Sequence, residues 1–353
     1  MNTFRQFEQR LETVPLTTSW YLADLGEARG RQELFTKQSP QKLKVLREHA
    51  VIESAVSSNR IEGVQVDQAR IGTVLFGKSH LRDRDEEEVR GYRDALKLIH
   101  GQGPKLRITE ELIRELHRLS RAGLGDAGQY KERDSDIIEK YPDGRQRVRF
   151  ATVKAADTPN HMRALVENWD RCLRERWVHP LIALAAFNLD FLCIHPFRDG
   201  NGRVSRLLML AECYQLGYEV GRYISLERLI EENKERYYET LEASSQWWHE
   251  AKHDPWPLIN FLLYVLKLAY GEFERRVGQT ASPKGAKTEM VEAAVESMTD
   301  SFTVSDLERA CPGVSRDMVR RVLRGLKNAG RVEALGRGPG ALWRKRGSTL
   351  KRG

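Results

Sequence analysis

The sequence predicts a mainly α-helical protein with one β-hairpin, followed by a smaller basic module of mixed α and β character. Apolar residues recur at helical spacing through most of the chain, strand patterning in the body is confined to one charged segment, and the composition changes after residue 280. The first clear helix carries Leu43, Val45, Leu46, His49, Ala50, Ile52, Glu53, Val56 and Ser57, and its stripe ends near Gly63. The same period runs through Thr109 to Leu119, Asn160 to Trp177, Pro180 to Leu192, Arg203 to Gln215, Arg236 to Ser245 and Pro257 to Arg276. The hairpin joins Ile137 to Tyr141 with Gln146 to Phe150 through Pro142-Asp143-Gly144-Arg145. There Pro presets the first central position and Gly accepts a positive φ.

A length of 353 residues fits two or three domains, and 40% hydrophobic residues with a mean hydropathy of -0.56 suit an ordinary buried core. The most apolar stretches, Leu181 to Phe197 and Leu258 to Tyr270, are broken by Asn188, Asp190, Asn260 and Lys267. Both fall short of the roughly 18 apolar residues that a membrane span needs. Met1 to Glu8 lacks the apolar core of a signal peptide. Cys172, Cys193, Cys213 and Cys311 are too scattered to form a disulfide framework. A soluble, cytoplasmic protein without a membrane partner is expected.

The net charge of +8 is concentrated in the tail. Pro283 to Gly353 holds 15 Lys or Arg against 8 Asp or Glu, leaving the preceding body close to neutral. Thr280 to Lys287, rich in small residues, reads as a linker. Beyond it come a helix over Val291 to Met298, a short Phe302-Thr303-Val304 segment and a helix capped by Ser305 and running through Ala310. A Pro312-Gly313 turn leads to Ser315, which caps a helix bearing Arg316, Arg320, Arg321, Arg324 and Lys327. Val332 to Leu335 and Ala341 to Arg344, across Gly336-Arg337-Gly338-Pro339-Gly340, form a small wing. This order resembles a winged helix-turn-helix module. Two uses fit it, DNA binding through residues 283–353 and contact with protein.

The chemistry is concentrated in Cys193-Ile194-His195-Pro196-Phe197-Arg198-Asp199-Gly200-Asn201-Gly202-Arg203-Val204-Ser205-Arg206. An apolar helix ends at His195, Pro196 forces an extended turn, and the two glycines allow a tight entry into a second helix. Backbone N–H groups then converge at a helix N-terminus, where the dipole favours an anion. Arg203 and Arg206 lie three apart on one face, and guanidinium forks suit phosphate oxygens. Asp199 is a hard oxygen ligand of the kind that shares Mg²⁺ with phosphates. His195 is the nearby group able to accept a proton at neutral pH. The run reads as a nucleotide-phosphate site with a base beside it.

The segment resembles the signature of the Fic (filamentation induced by cAMP) family, H-P-F-x-[DE]-G-N-G-R-x-x-R, with every fixed position filled. The resemblance implies a Fic-type helical bundle with a β-hairpin flap, spanning about Leu43 to Phe273. It also implies transfer of AMP from ATP to a Ser, Thr or Tyr hydroxyl of a protein. His195 would take the hydroxyl proton, and Asp199 would hold Mg²⁺ on the α- and β-phosphates. Gly200, Asn201 and Gly202 would stabilise the α-phosphate, Arg203 would hold the β-phosphate and Arg206 the γ-phosphate. Val204 and Ser205 complete the nucleotide-binding run, and Phe197 is a core anchor.

Ser58-Asn59-Arg60-Ile61-Glu62-Gly63 resembles the family's inhibitory motif, [ST]-x-x-x-E-[GN]. By that likeness Glu62 would occupy Arg206 and force ATP into an unproductive pose, with Ser58 at the motif's start. Gly128-Gln129-Tyr130-Lys131 and Arg147-Val148-Arg149-Phe150 match the position of the family's target-docking flap, although the charged stretch between Tyr130 and Phe150 is longer than usual. Tyr237 and Tyr238 resemble the pair bordering the adenine pocket. The implied organisation is an N-terminal helical region over 1–100 with an inhibitory helix at about 43–63, a Fic catalytic core over 101–279, and a linker with a winged helix-turn-helix domain over 280–353. The family's cradle can also transfer other phosphate-containing groups or remove AMP. A DNA-binding regulator whose core senses nucleotide is the alternative from another class. Self-modification and a homodimer stay open.

His249-Glu250-Ala251-Lys252-His253 spells a zinc-hydrolase pattern, but Asp254-Pro255 follows at once and disfavours the continuous helix such a site needs. An exposed loop beside Trp247, Trp248 and Trp256 is expected there, and His161 and His179 read as structural.

Overall fold

A computed structural model of the chain describes residues 1–346 apart from 11–12, 37–39, 78–79, 122–124, 141–143, 279–285, 299–300, 312–313, 337 and 339. It contains two compact units, Met1–Leu34 with Ala50–Phe273, and Phe35–His49 with Glu274–Gly353. The Pro142-Asp143 turn, most of the linker, the Pro312-Gly313 turn and part of the wing tip lie outside the described residues.

The larger unit is mostly helical, drawing on α1 (Asn2–Arg10), α2 (Leu16–Thr36), α3 (Pro40–Ile61), α4 (Ile71–Phe76), α5 (Arg84–Gln102) and α6 (Glu110–Ser120). The hairpin β1 (Ile137–Lys140) and β2 (Gln146–Phe150) comes next. After it come α7 (Thr158–Glu175), α8 (Pro180–Ile194), α9 (Asn201–Gln215), α10 (Leu226–Glu232), α11 (Lys234–Ser245) and α12 (Trp256–Gly278). The centre is α8, whose residues from Leu181 to Ile194 are all buried, as expected of a helix apolar on every side. His179 caps it by accepting the Leu181 N–H, and Pro180 sits at its first turn, where a missing N–H costs nothing. It packs against α1, α7, α9 and α11.

Several polar groups inside this core hold one another by hydrogen bonds. The Asn188 amide donates to Leu184 O at 2.9 Å and to Glu212 Oε2 at 2.6 Å. Asp190 Oδ1 accepts from Thr3 N at 3.1 Å, Thr3 Oγ1 at 2.6 Å and Trp248 Nε1 at 2.6 Å. Because the Thr3 hydroxyl donates to Asp190, it accepts from His253 Nε2, 2.9 Å away. The first helix, the central helix and the segment before α12 thus meet on one carboxylate. That corrects part of the sequence reading. His249 is exposed and contacts Ala151 O at 2.7 Å, but His253 is buried, and positive φ at Trp247 and Ala251 shows why no helix joins the two histidines.

The helices α1, α2, α4 and α5 fall in the N-terminal region, expected to be helical without individual bounds, and α10 is additional to the helices expected. The start of α5 carried a readable signal, since Asp83 accepts the Glu86 N–H and Asp85, Glu86 and Glu87 fill the first turn.

The smaller unit contains α13 (Ala286–Ser297), α14 (Val304–Ala310), α15 (Arg316–Asn328), β3 (Val332–Ala334) and β4 (Trp343–Lys345). Val291, Leu307, Val319, Leu323 and Val332 are buried together in its core. Phe302 pairs with Trp343 by backbone bonds of 2.8 and 2.7 Å, adding a third stretch beside the short hairpin. Thr303 caps α14 in place of the expected Ser305. Asp306 at the third helical position returns the hydrogen bond, and a Glu or Asp there favours the earlier residue. Ser315 caps α15 as expected. The described cysteines are free and buried, and no described helix is long and apolar enough to cross a membrane.

Asp190→Ala leaves two buried donors and the Thr3 N–H without an acceptor. It should lower stability by about 3 kcal/mol, read as a shifted urea midpoint with an unchanged denaturant slope.

Candidate active site

The site is built where α8 stops and α9 starts. His195 terminates α8 by taking a left-handed conformation (φ 52) and donating its N–H to Phe191 O at 2.9 Å. Pro196 cannot extend the helix, and the chain folds back on Asn201. The Asn201 Oδ1 accepts the Phe197 N–H at 2.9 Å, and its Nδ2 donates to Phe197 O at 2.7 Å. The side chain is thereby a clasp that sets the spacing of the signature, with one of its two amide N–H donors used on the loop. Gly200 needs its positive φ of 82 to enter α9.

The loop is held from outside as well. Phe197 is fully buried and stacks on His117 with centroids 3.8 Å apart. The His117 Nδ1 accepts the Gly128 N–H at 2.8 Å, so its Nε2 donates to Asp199 O at 3.0 Å. Lys131 donates its backbone N–H to Pro196 O at 2.8 Å and its ammonium to Ile194 O at 3.2 Å and Thr152 Oγ1 at 2.7 Å. That one residue ties the end of the hairpin to both sides of His195.

At the start of α9 the first N–H groups have no partner in a preceding turn. A carboxylate already lies there. Glu62, just past the end of α3, accepts from Arg206 Nη2 at 2.7 Å, and a Cβ on Gly202 would collide with its Oε1. Arg206 is buried, and Ser58 holds the rest of its fork: Nε donates to Ser58 Oγ at 2.8 Å and Nη2 to Ser58 O at 2.9 Å. Burial opposes the guanidinium charge, but Glu62 with the Tyr92 and Tyr237 hydroxyls raises its pKa above the ordinary arginine value. Next to it, Arg203 is buried too. It donates to Glu88 Oε2 at 2.5 Å and Asn59 Oδ1 at 3.2 Å, while its Nε has no partner. A buried, unpartnered guanidinium N–H suits an anion.

A cavity of about 240 Å³ opens beside these groups, lined among others by Glu62, His195, Gly202, Arg206, Tyr237 and Tyr238. The Tyr237 and Tyr238 rings stand 5.3 Å apart, and burial pushes both phenols up. Arg149 and Phe150 also line it. The register of the hairpin slips between Ile137 and Ile138, pairing them with Phe150 and Val148, so Arg149 is the extra residue of a bulge. Bulges re-aim side chains. Arg149 donates to Tyr238 O at 2.7 Å and lies 3.1 Å from Glu242. Arg147 pairs with Glu242 at 2.6 Å, and Val148 is exposed.

His195 is half-buried, and its Nδ1 lies 3.3 Å from Leu192 O. A carbonyl only accepts, so the proton sits on Nδ1 and Nε2 keeps its lone pair. Burial, with the charge of Lys131, lowers its pKa to about 4. Asp199 lies to one side and its side chain is 54% exposed. Its Oδ1 accepts the Gly200 N–H at 2.6 Å and its Oδ2 accepts from Arg121 at 2.6 Å and Arg84 at 3.4 Å. Desolvation works against the charge, but Arg121 and Arg203 prevail and hold its pKa below the ordinary carboxylate value. One ionised, accessible carboxylate is the donor that Mg²⁺ takes when phosphates and water complete its shell, so the residue fits that ion.

The structure thus brings His195, Gly202, Arg206, Glu62, Arg149, Phe150, Tyr237 and Tyr238 around one cavity. Val204 and Ser205 are a correction: Val204 is fully buried and the Ser205 hydroxyl donates to Asn188 Oδ1 at 3.0 Å, so both side chains belong to the core. Glu88, Arg121 and His117 were missed, and Lys131 and Asn59 were named only as members of their motifs. Glu88 could have been found, because it shares a helix face with Tyr92, Ala95 and Ile99, all buried.

Residues 107–213 match the Fic/DOC family. Among curated proteins, the chain is similar to the protein adenylyltransferase Fic of Nematostella vectensis, at 30% identity over 171 residues, 46% of this chain and 37% of that one. The protein adenylyltransferase Fic of Drosophila persimilis is 26% identical over 190 residues, 51% of this chain and 35% of that one. The chain spans about a third of the length of these relatives. Among solved structures, a Fic family protein from Desulfovibrio desulfuricans G20 shares the fold with a TM-score of 0.60 at 23% identity, covering 96% of this chain and 98% of its own. A Fic domain containing signaling protein from Bacteroides thetaiotaomicron VPI-5482 does so with a TM-score of 0.61 at 22% identity, covering 73% and 98%. The chain carries a Fic domain on a mostly helical fold.

The imidazole of His195 should titrate near pH 4 by NMR, assigned by loss of its signals in His195→Gln. It would then be neutral, with Nε2 free to accept, throughout the physiological range. A midpoint near 6.5 would mean that burial does not govern it.

Proposed function

We propose that the chain is a protein adenylyltransferase, moving AMP from ATP to a Ser, Thr or Tyr hydroxyl, and that Glu62 holds it inactive. The observation that carries the proposal is the convergence of a neutral histidine, a helix N-terminus and the Glu62–Arg206 pair on one cavity. A carboxylate lying on Gly202 and Arg206 takes the place that a phosphate would fill. The names of the curated relatives point to the same activity.

In this reading Glu62 swings away and the triphosphate lies along the first turn of α9. Arg206 receives the γ-phosphate, Arg203 the β-phosphate and the Gly202 amide the α-phosphate, joined by the Gly200 N–H only if it leaves Asp199 Oδ1. Asp199 would hold Mg²⁺, which neutralises phosphate charge when bound. The target hydroxyl oxygen attacks the α-phosphorus, its proton passes to His195 Nε2, and the bond from the α-phosphorus to pyrophosphate breaks. The adenine lies against Tyr237 and Tyr238. The target segment adds to the hairpin near Arg147, Val148, Arg149 and Phe150, where cross-strand neighbours Ile138 and Val148 are both exposed.

The tail is proposed to be a winged helix-turn-helix module that binds DNA. Its α15 buries Val319, Val322, Leu323 and Leu326 and exposes Arg320, Arg321, Arg324 and Lys327. Such a face favours a polyanion.

With α-labelled ATP and Mg²⁺, Glu62→Gly should raise auto-labelling by about tenfold or more, because a charge-assisted contact is removed from the competing state. Adding His195→Ala should then reduce labelling by about 10²-fold or more. Silence of Glu62→Gly with nucleotide binding intact would overturn the assignment. For the tail, duplex-DNA affinity should fall steeply and linearly in a log–log salt plot and vanish on truncation at Ser282. Flat or absent binding would instead favour a protein-contact module.

A further inference from the structure

We propose that Arg121 is a built-in cation that closes a two-carboxylate site against free divalent ions, so that metal enters only together with nucleotide. The inference rests on the proposal that Asp199 receives such an ion. Its basis is the position of one atom. Arg121 Nη1 lies 2.6 Å from Asp199 Oδ2 and 3.1 Å from Glu88 Oε1, so a single nitrogen stands where two carboxylates cross. Two carboxylate oxygens converging on a point are a donor pair for a hard divalent cation, and here a guanidinium fills that point.

The side chain is fixed there. Arg121 is 5% exposed, its stem packs against Gly200, where an added Cβ would lie 3.2 Å from Cδ, and its Nε has no hydrogen-bond partner. Glu88 is 3% exposed and bound to two further guanidinium groups, Arg203 at 2.5 Å and Arg84 at 2.9 Å. Three guanidinium groups therefore surround two carboxylates, a formal excess of one positive charge. Adding a bare divalent ion to that cluster is repulsive, and in a partly buried site the repulsion is weakly screened. A nucleotide brings several negative phosphate oxygens, which reverse the balance and supply most of the metal's shell. Asp199 then adds a ligand through the Oδ1 lone pair that its present contacts leave open, since each carboxylate oxygen has about two acceptor sites and Oδ1 accepts only the Gly200 N–H. Arg121 acts through Asp199, as a positioning residue that sets the order in which metal and nucleotide arrive.

The test uses Mn²⁺ as the probe and the full-length Glu62→Gly protein as the parent, read by water-proton relaxation, which separates protein-bound from free Mn²⁺. Without nucleotide the parent should bind Mn²⁺ weakly. Arg121→Gln should bind it at least about tenfold more tightly, because removal of a contacting like charge is worth that factor or more. Adding Glu88→Gln should return the affinity to the parent value. Arg84→Ala, which alters an exposed arm of the cluster, should give a smaller gain in the same direction and keeps the test decisive if Arg121→Gln does not fold. Equal nucleotide-free binding by the parent and Arg121→Gln, or a gain that survives Glu88→Gln, would overturn the proposal. With ATP present, the parent should show the enhanced relaxation of a protein-bound Mn²⁺–nucleotide complex. Absence of that enhancement would overturn the metal–nucleotide reading and the inference with it. Its presence, with no gain in Arg121→Gln, would sink the inference alone.

Discussion

A guanidinium sealed in the core is the constraint on which this site depends. Arg206 cannot lose its proton, and a buried charge without a counter-charge is strongly unfavourable. The fold therefore has to bring it an anion, and it does so with Glu62, just past the end of α3, supported by two Ser58 oxygens from the helix's last turn. The end of α3 is fixed as a consequence. Lys234 donates to Ile61 O at 2.8 Å, and Asn59 reaches Arg203 from the same turn. The segment from Ser58 to Glu62 is bound to both arginines of the signature, through a carboxylate on one and an amide on the other.

The same demand explains why the loop between α8 and α9 is so rigidly specified. An anion site made of N–H groups works only if their directions are fixed before the ligand arrives. Three independent devices fix them: a left-handed His195 that stops α8, an Asn201 amide closed on Phe197, and a Phe197 ring stacked on His117. Lys131 then joins this loop to the hairpin, so the wall of the cavity and its base share one fastening.

Much of this was legible in the sequence, and the limits of legibility have physical reasons. The signature could be read because its chemistry is local: base, acid, cradle and arginines fall within twelve residues. The helices α6 to α9 could be read because strong apolar periods end in turn residues. That the side chains of Val204 and Ser205 turn into the core was not legible, because proximity in sequence does not say which way a side chain points when a tight loop enters a helix. Arg121 and Glu88 were missed because their meaning is pairwise. Each looks like a solvated charge until the fold places α5 and α6 against α9. The buried carboxylate of Asp190 reads as an interruption of an apolar helix, and its partners lie at the opposite ends of the unit's sequence, at Thr3 and Trp248.

The Glu62–Arg206 pair is asymmetric, and that asymmetry decides how readily it opens. The Arg206 side chain is 3% exposed and the Glu62 side chain 32%. Glu62 can regain water by rotating outward, while Arg206 keeps its hydrogen bonds to the two neutral Ser58 oxygens and loses its counter-charge until another anion replaces the carboxylate. Opening therefore sacrifices at least one charge-assisted contact, about 1.5–3 kcal/mol, with the partly hydrated carboxylate lowering the cost and the buried guanidinium raising it. That corresponds to a closed-state excess of about tenfold or more at 1.4 kcal/mol per decade. A fully buried pair would have cost far more to break and would have made a permanent plug. The rest of α3 need not move, since Asn59 and the Ile61 carbonyl are held by separate bonds. The side-chain torsions of Glu62 alone can separate a filled anion site from an open one, which places this contact in the energy range of a switch.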